Sequence, residues 1–375
     1  MMKRFRAVFL PAATACVALA VLPAAAKDLT VFFGTHTAGP GKGFSISHFD
    51  TLTGELSNPE FVLETPAPAY FVIAPGGHRL YSCNSTGFVS AYSISPYSAR
   101  LKLINQKPSG GGDPSYISLD RTGRYVLVAN YDGGNIAVWA LAKDGSLGER
   151  TAFVQHTGSG VNPQRQSHAF AHSIVVDPTN RFALVADLGL DRLFVYRFNV
   201  KDGSLTPNDP PFARSAPGSG ARHVVFHPNG RWVYLITEMG STIMLFDWDS
   251  KTGALTEMQT ISTLPKDFHG VSMCAEVRVH PSGRFVYASN RGRDSIALFM
   301  VDPQSGRLTW IEDVPSGGKT PRNFDFDPSA HWLLVTNHDS DTAMVFRINQ
   351  QTGRLTPAGD PVEVPSPYCP RFLMK

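Results

Sequence analysis

The chain has 375 residues, 42% hydrophobic and 17% charged, with 33 glycines, 28 prolines and four cysteines, and its formal charge is +3. The first 26 residues hold three basic side chains and no acidic one, which leaves 31 of each sign in the remainder. That balance excludes a basic nucleic-acid-binding stripe, and no amphipathic helical pattern points to a membrane surface.

Residues 1–26 open on Lys3, Arg4 and Arg6, run apolar from Ala7 to Leu22 and finish Ala24-Ala25-Ala26. A basic head, a short apolar middle and a small-residue stop predict a Sec-type signal peptide cleaved near Ala26; the middle is too short and too poorly flanked for a membrane anchor. Cys16 lacks the preceding leucine of a lipoprotein signal, so lipidation is not expected. The mature chain, 27–375, is thus expected to be exported, to the periplasm in a bacterium. Cys83, Cys274 and Cys369 include no CxxC spacing and are read as buried free thiols.

The chain repeats itself in two phases. The first is an apolar run, a Pro/Gly-type turn and a second apolar run, as in 115–130, 222–237 and 275–290. The residues opening each unit are Pro68, Pro114, Ala171, Ala221, Cys274, Pro321 and Pro370. The second phase is a turn followed by leucine, seen at Gly54-Glu55-Leu56, Gly145-Ser146-Leu147, Gly203-Ser204-Leu205, Gly253-Ala254-Leu255, Gly306-Arg307-Leu308 and Gly353-Arg354-Leu355, with Ala99-Arg100-Leu101 in the remaining slot. Glycine supplies the positive φ that such hairpin turns need. Units of about 40–50 residues with four short strands describe propeller blades. The prediction is an all-β, seven-bladed propeller with strands A to D running outward from the channel. The seventh blade takes strand A from 370–375 and B, C and D from 29–34, 43–50 and 56–63, which closes the ring without a free sheet edge.

In such a blade the start of strand A and the end of strand B share one face beside the channel, so the repeat acts as a coordinate system. The slot near the start of strand A reads Ala69, Ser115, His172, Arg222, Ala275, Arg322 and Arg371. The slot after strand B reads Ser85, Tyr131, Leu188, Glu238, Arg291 and His338. One mouth is therefore predicted to collect His172, Arg222, His223, Glu238, Glu276, Arg291 and Arg322, a convergence of ionisable groups that marks a candidate site. Blander readings stand beside it: Arg222 and Glu238 as a structural ion pair, Arg371 as a fastener of the closure, and Asn84, Asn130, Asn290 and Asn337 as caps of the B–C turns. His168 and His269 lie in the two longest inter-blade segments of the same face. There is no Gly-x-Ser-x-Gly elbow, His-Glu-x-x-His, P-loop or zinc-type cysteine pair, and the clustered arginines favour an anion over a divalent cation. No cofactor and no metal are expected.

Gly220-Ala221-Arg222-His223, Thr237-Glu238-Met239-Gly240-Ser241, Ala275-Glu276, Ser289-Asn290-Arg291-Gly292 and Pro321-Arg322-Asn323-Phe324 resemble the motifs of the seven-bladed propeller lactonase family, which includes 6-phosphogluconolactonases and the fungal 3-carboxymuconate cyclases. Ala221 stands where the family usually has proline, and Thr237 where asparagine is common. The resemblance implies His172, Arg222, Glu238 and Arg291 as catalytic positions. With the ring of slots it gives an expectation of lactone opening on a small anionic lactone or sugar acid by a monomer. His223, Glu276, Arg322 and Asn290 would contact substrate, and Glu238 or His172 would act as base. An export signal sits badly with a phosphorylated cytoplasmic substrate, which favours a different lactone. The rival readings are a ring-closing cycloisomerase using the same residues and a non-catalytic exported binding propeller.

Overall fold

A computed structural model describes residues 1–2, 28–35 and 43–374. The expected signal peptide, apart from Met1 and Met2, and Cys16 within it lie outside the described residues. Seven antiparallel sheets form in the order the repeats predict. Blades one to five run as consecutive four-strand meanders beginning at Tyr70–Ile73, Pro114–Leu119, Ala171–Val176, Ala221–Phe226 and Met273–Val279. Blade six begins at Pro321–Phe326 and splits its outer edge into Leu355–Pro357 and Val362–Glu363, both paired with Thr342–Ile348. Each strand A touches the strand A of the next blade, and the circuit closes.

Blade seven joins the two ends of the chain. Pro367–Phe372 pairs with Asp28–Thr35, followed outward by Gly43–Asp50 and Glu60–Glu64. Two details differ from the sequence expectation. The outer strand starts later, at Glu60, with Leu56 reduced to an isolated bridge to Phe49. The inner strand is also shifted by three residues. Pro367 lies opposite Thr35, as Pro114 lies opposite Asn130 and Ala171 opposite Asp187. Pro367, and not Pro370, therefore opens this unit. Tyr368 takes the mouth slot, and Arg371 falls deeper in the channel.

No single core holds the ring. Most B strands are buried along their whole length, because a neighbouring blade covers each face; this is why they read as unbroken apolar runs. The apolar clusters accordingly straddle blade boundaries, as where Trp232, Tyr234 and Ile236 of blade four meet Cys274, Val286 and Phe299 of blade five. The Gly-x-Leu turns lock the same boundaries. Gly306 has φ +72°, and a Cβ there would come within 2.4 Å of the Trp232 ring. Its carbonyl accepts the Tyr234 hydroxyl at 2.8 Å. Ala99 tolerates the equivalent turn with φ 53°. Cys83, Cys274 and Cys369 are buried free thiols.

Closure makes a testable demand. Removing residues 367–375 strips the inner-edge partner from Asp28–Thr35 and uncovers Phe32 and Phe71, which pack in one cluster with Cys369 and Leu373. The truncated chain is expected to lose its cooperative thermal transition; a melt within a few degrees of the intact chain would refute this closure.

Candidate functional site

Strand A carries a register shift immediately after its first pair in blades two, three, four and six, and blade seven has it at the same place. The residue passed over has no cross-strand partner: Ser115, His172, Arg222, Arg322 and Tyr368. A bulge of this kind re-aims a side chain out of the ladder. Four of the five line one cavity of about 280 Å³ at the channel mouth, together with Glu238, Arg291, Arg165, Tyr131, Met273 and Asp113. The fifth, Arg222, is buried directly behind Glu238.

Glu238 is the centre of this mouth. Its Oε1 accepts from Arg165 Nη2 at 2.6 Å. Its Oε2 accepts from Arg222 Nε at 2.8 Å and Arg291 Nη2 at 3.0 Å, with His172 Nε2 at 3.9 Å. Burial opposes its ionisation, but Arg291 and Arg222 outweigh that and hold the carboxyl well below the usual range. His172 responds in the opposite sense: burial, then the charge of Arg222, push its imidazole well below 6.5, so it is neutral at pH 7. Its Nδ1 is buried without a hydrogen-bond partner among the described residues. Arg291 is pulled down to about 10 by burial and by Arg222 and Arg322, in spite of Glu238. Arg322 donates to the Tyr368 hydroxyl and lies 4.3 Å from the centre of its ring.

The next residue of strand A lies one level down and closes the channel. Tyr70 and Tyr116 stack at 4.3 Å, and His223 meets both rings edge-on. Arg222 Nη1 donates toward His223 Nε2 at 3.3 Å, so the imidazole proton sits on Nδ1, which faces Glu276 Oε1 at 3.3 Å. Asn323 Nδ2 donates to the other Glu276 oxygen. His223 and Glu276, expected at the mouth, thus form a plug beneath it and support Arg222 from below. Asn290 is not among the cavity residues either. Its amide donates to Thr263 O at 2.8 Å and accepts from Thr263 Oγ1 at 2.7 Å. Asn84 and Asn337 likewise bind the connector that precedes their blade, at Pro66 O and Ser316 O, more than their own B–C turns.

A model of the family described as "Lactonase, 7-bladed beta-propeller" matches residues 30–372. The chain belongs to the seven-bladed β-propeller lactonase family. Among its relatives, a 6-phosphogluconolactonase of Bacillus subtilis is 34% identical over 91% of this chain and 97% of its own length. One of Formosa agariphila, also named 6-phosphogluconolactonase, is 30% identical over 80% and 86%. The solved structure of a Pseudomonas aeruginosa periplasmic gluconolactonase superposes with a TM-score of 0.88 at 33% identity, covering 93% of this chain and 99% of that one.

Within this lactonase scaffold, the side chain that the repeat could not place is Arg165. It comes from the irregular 157–170 connector, which Asp187 pins at both ends: Oδ2 meets His156 Nδ1 at 2.6 Å, and Oδ1 accepts the Phe170 amide at 2.9 Å. Gln166 adds an internal tie to Leu188 O at 2.8 Å. Asp113, which also falls outside the two slots, lines the same cavity; burial and Asp132 raise its carboxyl. Only the length of the 157–170 connector and its position on the functional face pointed toward such a contribution.

The buried neutral imidazoles set a pH dependence. His223 is lowered to about 4, by burial first and Arg222 second. Below 6.5 the unfolded chain therefore binds a proton that the folded chain refuses, so stability falls as pH drops from 6.5 toward 4. The melting temperature is expected to decline across that window, and His223→Gln, which preserves a donor to Glu276 and an acceptor for Arg222, should flatten part of the decline. Equal slopes in thermal melts of the two proteins would remove His223 from this titration.

Proposed function

We propose that the mouth hydrolyses a sugar-acid-type lactone, with His172 as the proton-transferring group and the arginines as the anion-stabilising set. The observation that carries this reading is the geometry of charge: Arg165, Arg222 and Arg291 converge on the single carboxylate of Glu238, while Arg322 is held by a phenol. Positive charge is left over in a concave, half-dry site, which is what a carbonyl oxygen gaining negative charge requires. Among the described residues no cluster of His, Cys, Asp and Glu is arranged to hold a metal ion.

Glu238 is a poor base in this setting, because three guanidiniums occupy its oxygens and stabilise its ionised form. His172 is neutral and therefore able to take a proton from water. The hydroxide equivalent adds to the lactone carbonyl, the arginines offset the oxyanion, and the ring C–O bond breaks as the alkoxide recovers the proton from His172. The imidazolium formed in between has Glu238 Oε2 3.9 Å from its Nε2. A bound anion raises the basicity of His172 by offsetting Arg222. The N-terminal signal pattern and the periplasmic neighbour support export and an unphosphorylated lactone, with the arginines acting on the oxyanion and on the carboxylate product.

The purified chain from residue 27 is expected to open gluconolactone. His172→Gln should lower kcat by about 10²–10⁴-fold with little change in melting temperature. Arg291→Leu should lower kcat/KM, and kcat/KM of the unaltered protein should stay level from pH 8 to below 6.5, since the free imidazole titrates in acid. Undiminished turnover in both variants would discard the site. Preferential turnover of 6-phosphogluconolactone would discard the unphosphorylated substrate.

A further inference from the structure

The strand-A alternation that builds the mouth also builds a second level, two residues below the plug. Here the blades contribute Val72, Ser118, Val175, Val225, Arg278, Asp325 and Arg371, and every one is half-buried, whereas most of the plug above is fully buried. The level is thus solvent-reachable from the far end of the channel. It opens into a cavity of about 180 Å³ that shares no lining residue with the lactonase mouth, and a larger space of about 460 Å³ adjoins it, lined again by Val72, Arg278 and Arg371.

This level has two halves. Blades five, six and seven supply Arg278, Asp325 and Arg371 side by side: Arg278 Nη1 is 2.9 Å from Asp325 Oδ1, and Arg371 Nη1 is 4.0 Å from Oδ2. One carboxylate thus stands between two guanidiniums. Arg278 Nε is buried and has no hydrogen-bond partner among the described residues, an unmet donor of a kind that structures seldom leave. Glu276 does not meet this demand: its oxygens take the His223, Asn323 and Val277 donors of the plug, and Arg278 Nη2 stays 3.9 Å away. The facing half, from blades one to four, is mainly apolar: Val72, Val175 and Val225 lie below the stacked Tyr70–Tyr116 pair, and the hydroxyl of Ser118 is spent on Ile174 O at 2.7 Å.

We propose that this far end of the channel is a second ligand site, separate from the lactonase mouth, which takes a small organic carboxylate with an apolar body. The carboxylate meets Arg278 and Arg371, for which guanidinium geometry is well suited, and the apolar body lies against Val72, Val225 and the tyrosine pair. Asp325 orients Arg278. Arg371, whose Nη1 is held by Asn323 Oδ1 at 3.0 Å and Pro370 O at 2.6 Å, presents its remaining N–H groups. The Asp325 charge at the same time weakens anion binding by like-charge repulsion. The site does not depend on the reaction assigned to the opposite mouth.

The test is a ¹⁹F NMR titration of the mature protein with 4-fluorobenzoate, with neutral 4-fluorobenzamide as the control. Saturable binding of the carboxylate with a Kd of about 1 mM is expected, and the amide should bind at least about tenfold more weakly. Arg278→Met should abolish the binding and Arg322→Leu should leave it in place. Asp325→Asn, which keeps an acceptor but removes the repelling charge, should tighten it by about fivefold or more, a gain that misfolding cannot imitate. Absence of saturable binding to the unaltered protein would overturn the site. So would loss in Arg322→Leu with retention in Arg278→Met, since the probe would then occupy the lactonase mouth. An unchanged or weaker affinity in Asp325→Asn would also overturn it.

Discussion

Strand A is the innermost strand of every blade, so one of its edges faces the channel and has no ladder partner. Its side chains alternate between the inter-blade core and that channel. The one-residue bulge after its first pair then decides which of them reach the mouth. Because the bulge recurs around the ring, residues remote in sequence, from Ser115 to Tyr368, are brought to one level by a local rule repeated in five of the seven blades. Below it the period of two takes over, giving first a polar plug and then a half-open level that is charged on one side and mainly apolar on the other.

The electrostatics follow from this layering. Four arginines enter the mouth from the 157–170 connector and from blades four, five and six, and Glu238 receives three of them. Burial without that carboxylate would be very costly, because several cations would be left unpaired at low dielectric. Burial first, and the charge of Arg222 second, keep His172 neutral. A buried histidine held near arginines is thus a proton acceptor in waiting, and a carboxylate held by arginines is a fixed counter-charge. The plug contributes by holding Arg222 from beneath, through an imidazole whose tautomer is set by Glu276.

Much of this was legible in the repeat. Two independent phases of the sequence specified seven blades, the split closure and the slots from which His172, Arg222, Glu238, Arg291 and Arg322 enter one site. The repeat misplaces residues where long-range pairing or irregular chain overrides it. Pro370-Arg371 imitates Pro321-Arg322, but the register of the last strand is set by pairing with Thr35, from the other end of the chain, and this shifts Arg371 to the far end of the channel. His223 and Glu276 lie one level below the mouth where the slots predict them, since neighbouring residues on a strand point to different levels. Asn290, expected both as a turn cap and as a substrate contact, binds Thr263 of the connector before its blade. Arg165 had no coordinate at all, because it lies in a segment that does not repeat.

The sequence by itself determined the blade count, the side of the ring on which charge gathers and the family, because these depend on local periodicity and on motifs that each blade carries within itself. Tertiary structure alone decided the depth of each channel residue, the convergence of three arginines on Glu238 and the split of one presumed site into a mouth, a plug and a second cavity. Those depend on cross-strand register and on contacts between blades, where a shift of a few residues moves a charge from one end of the channel to the other.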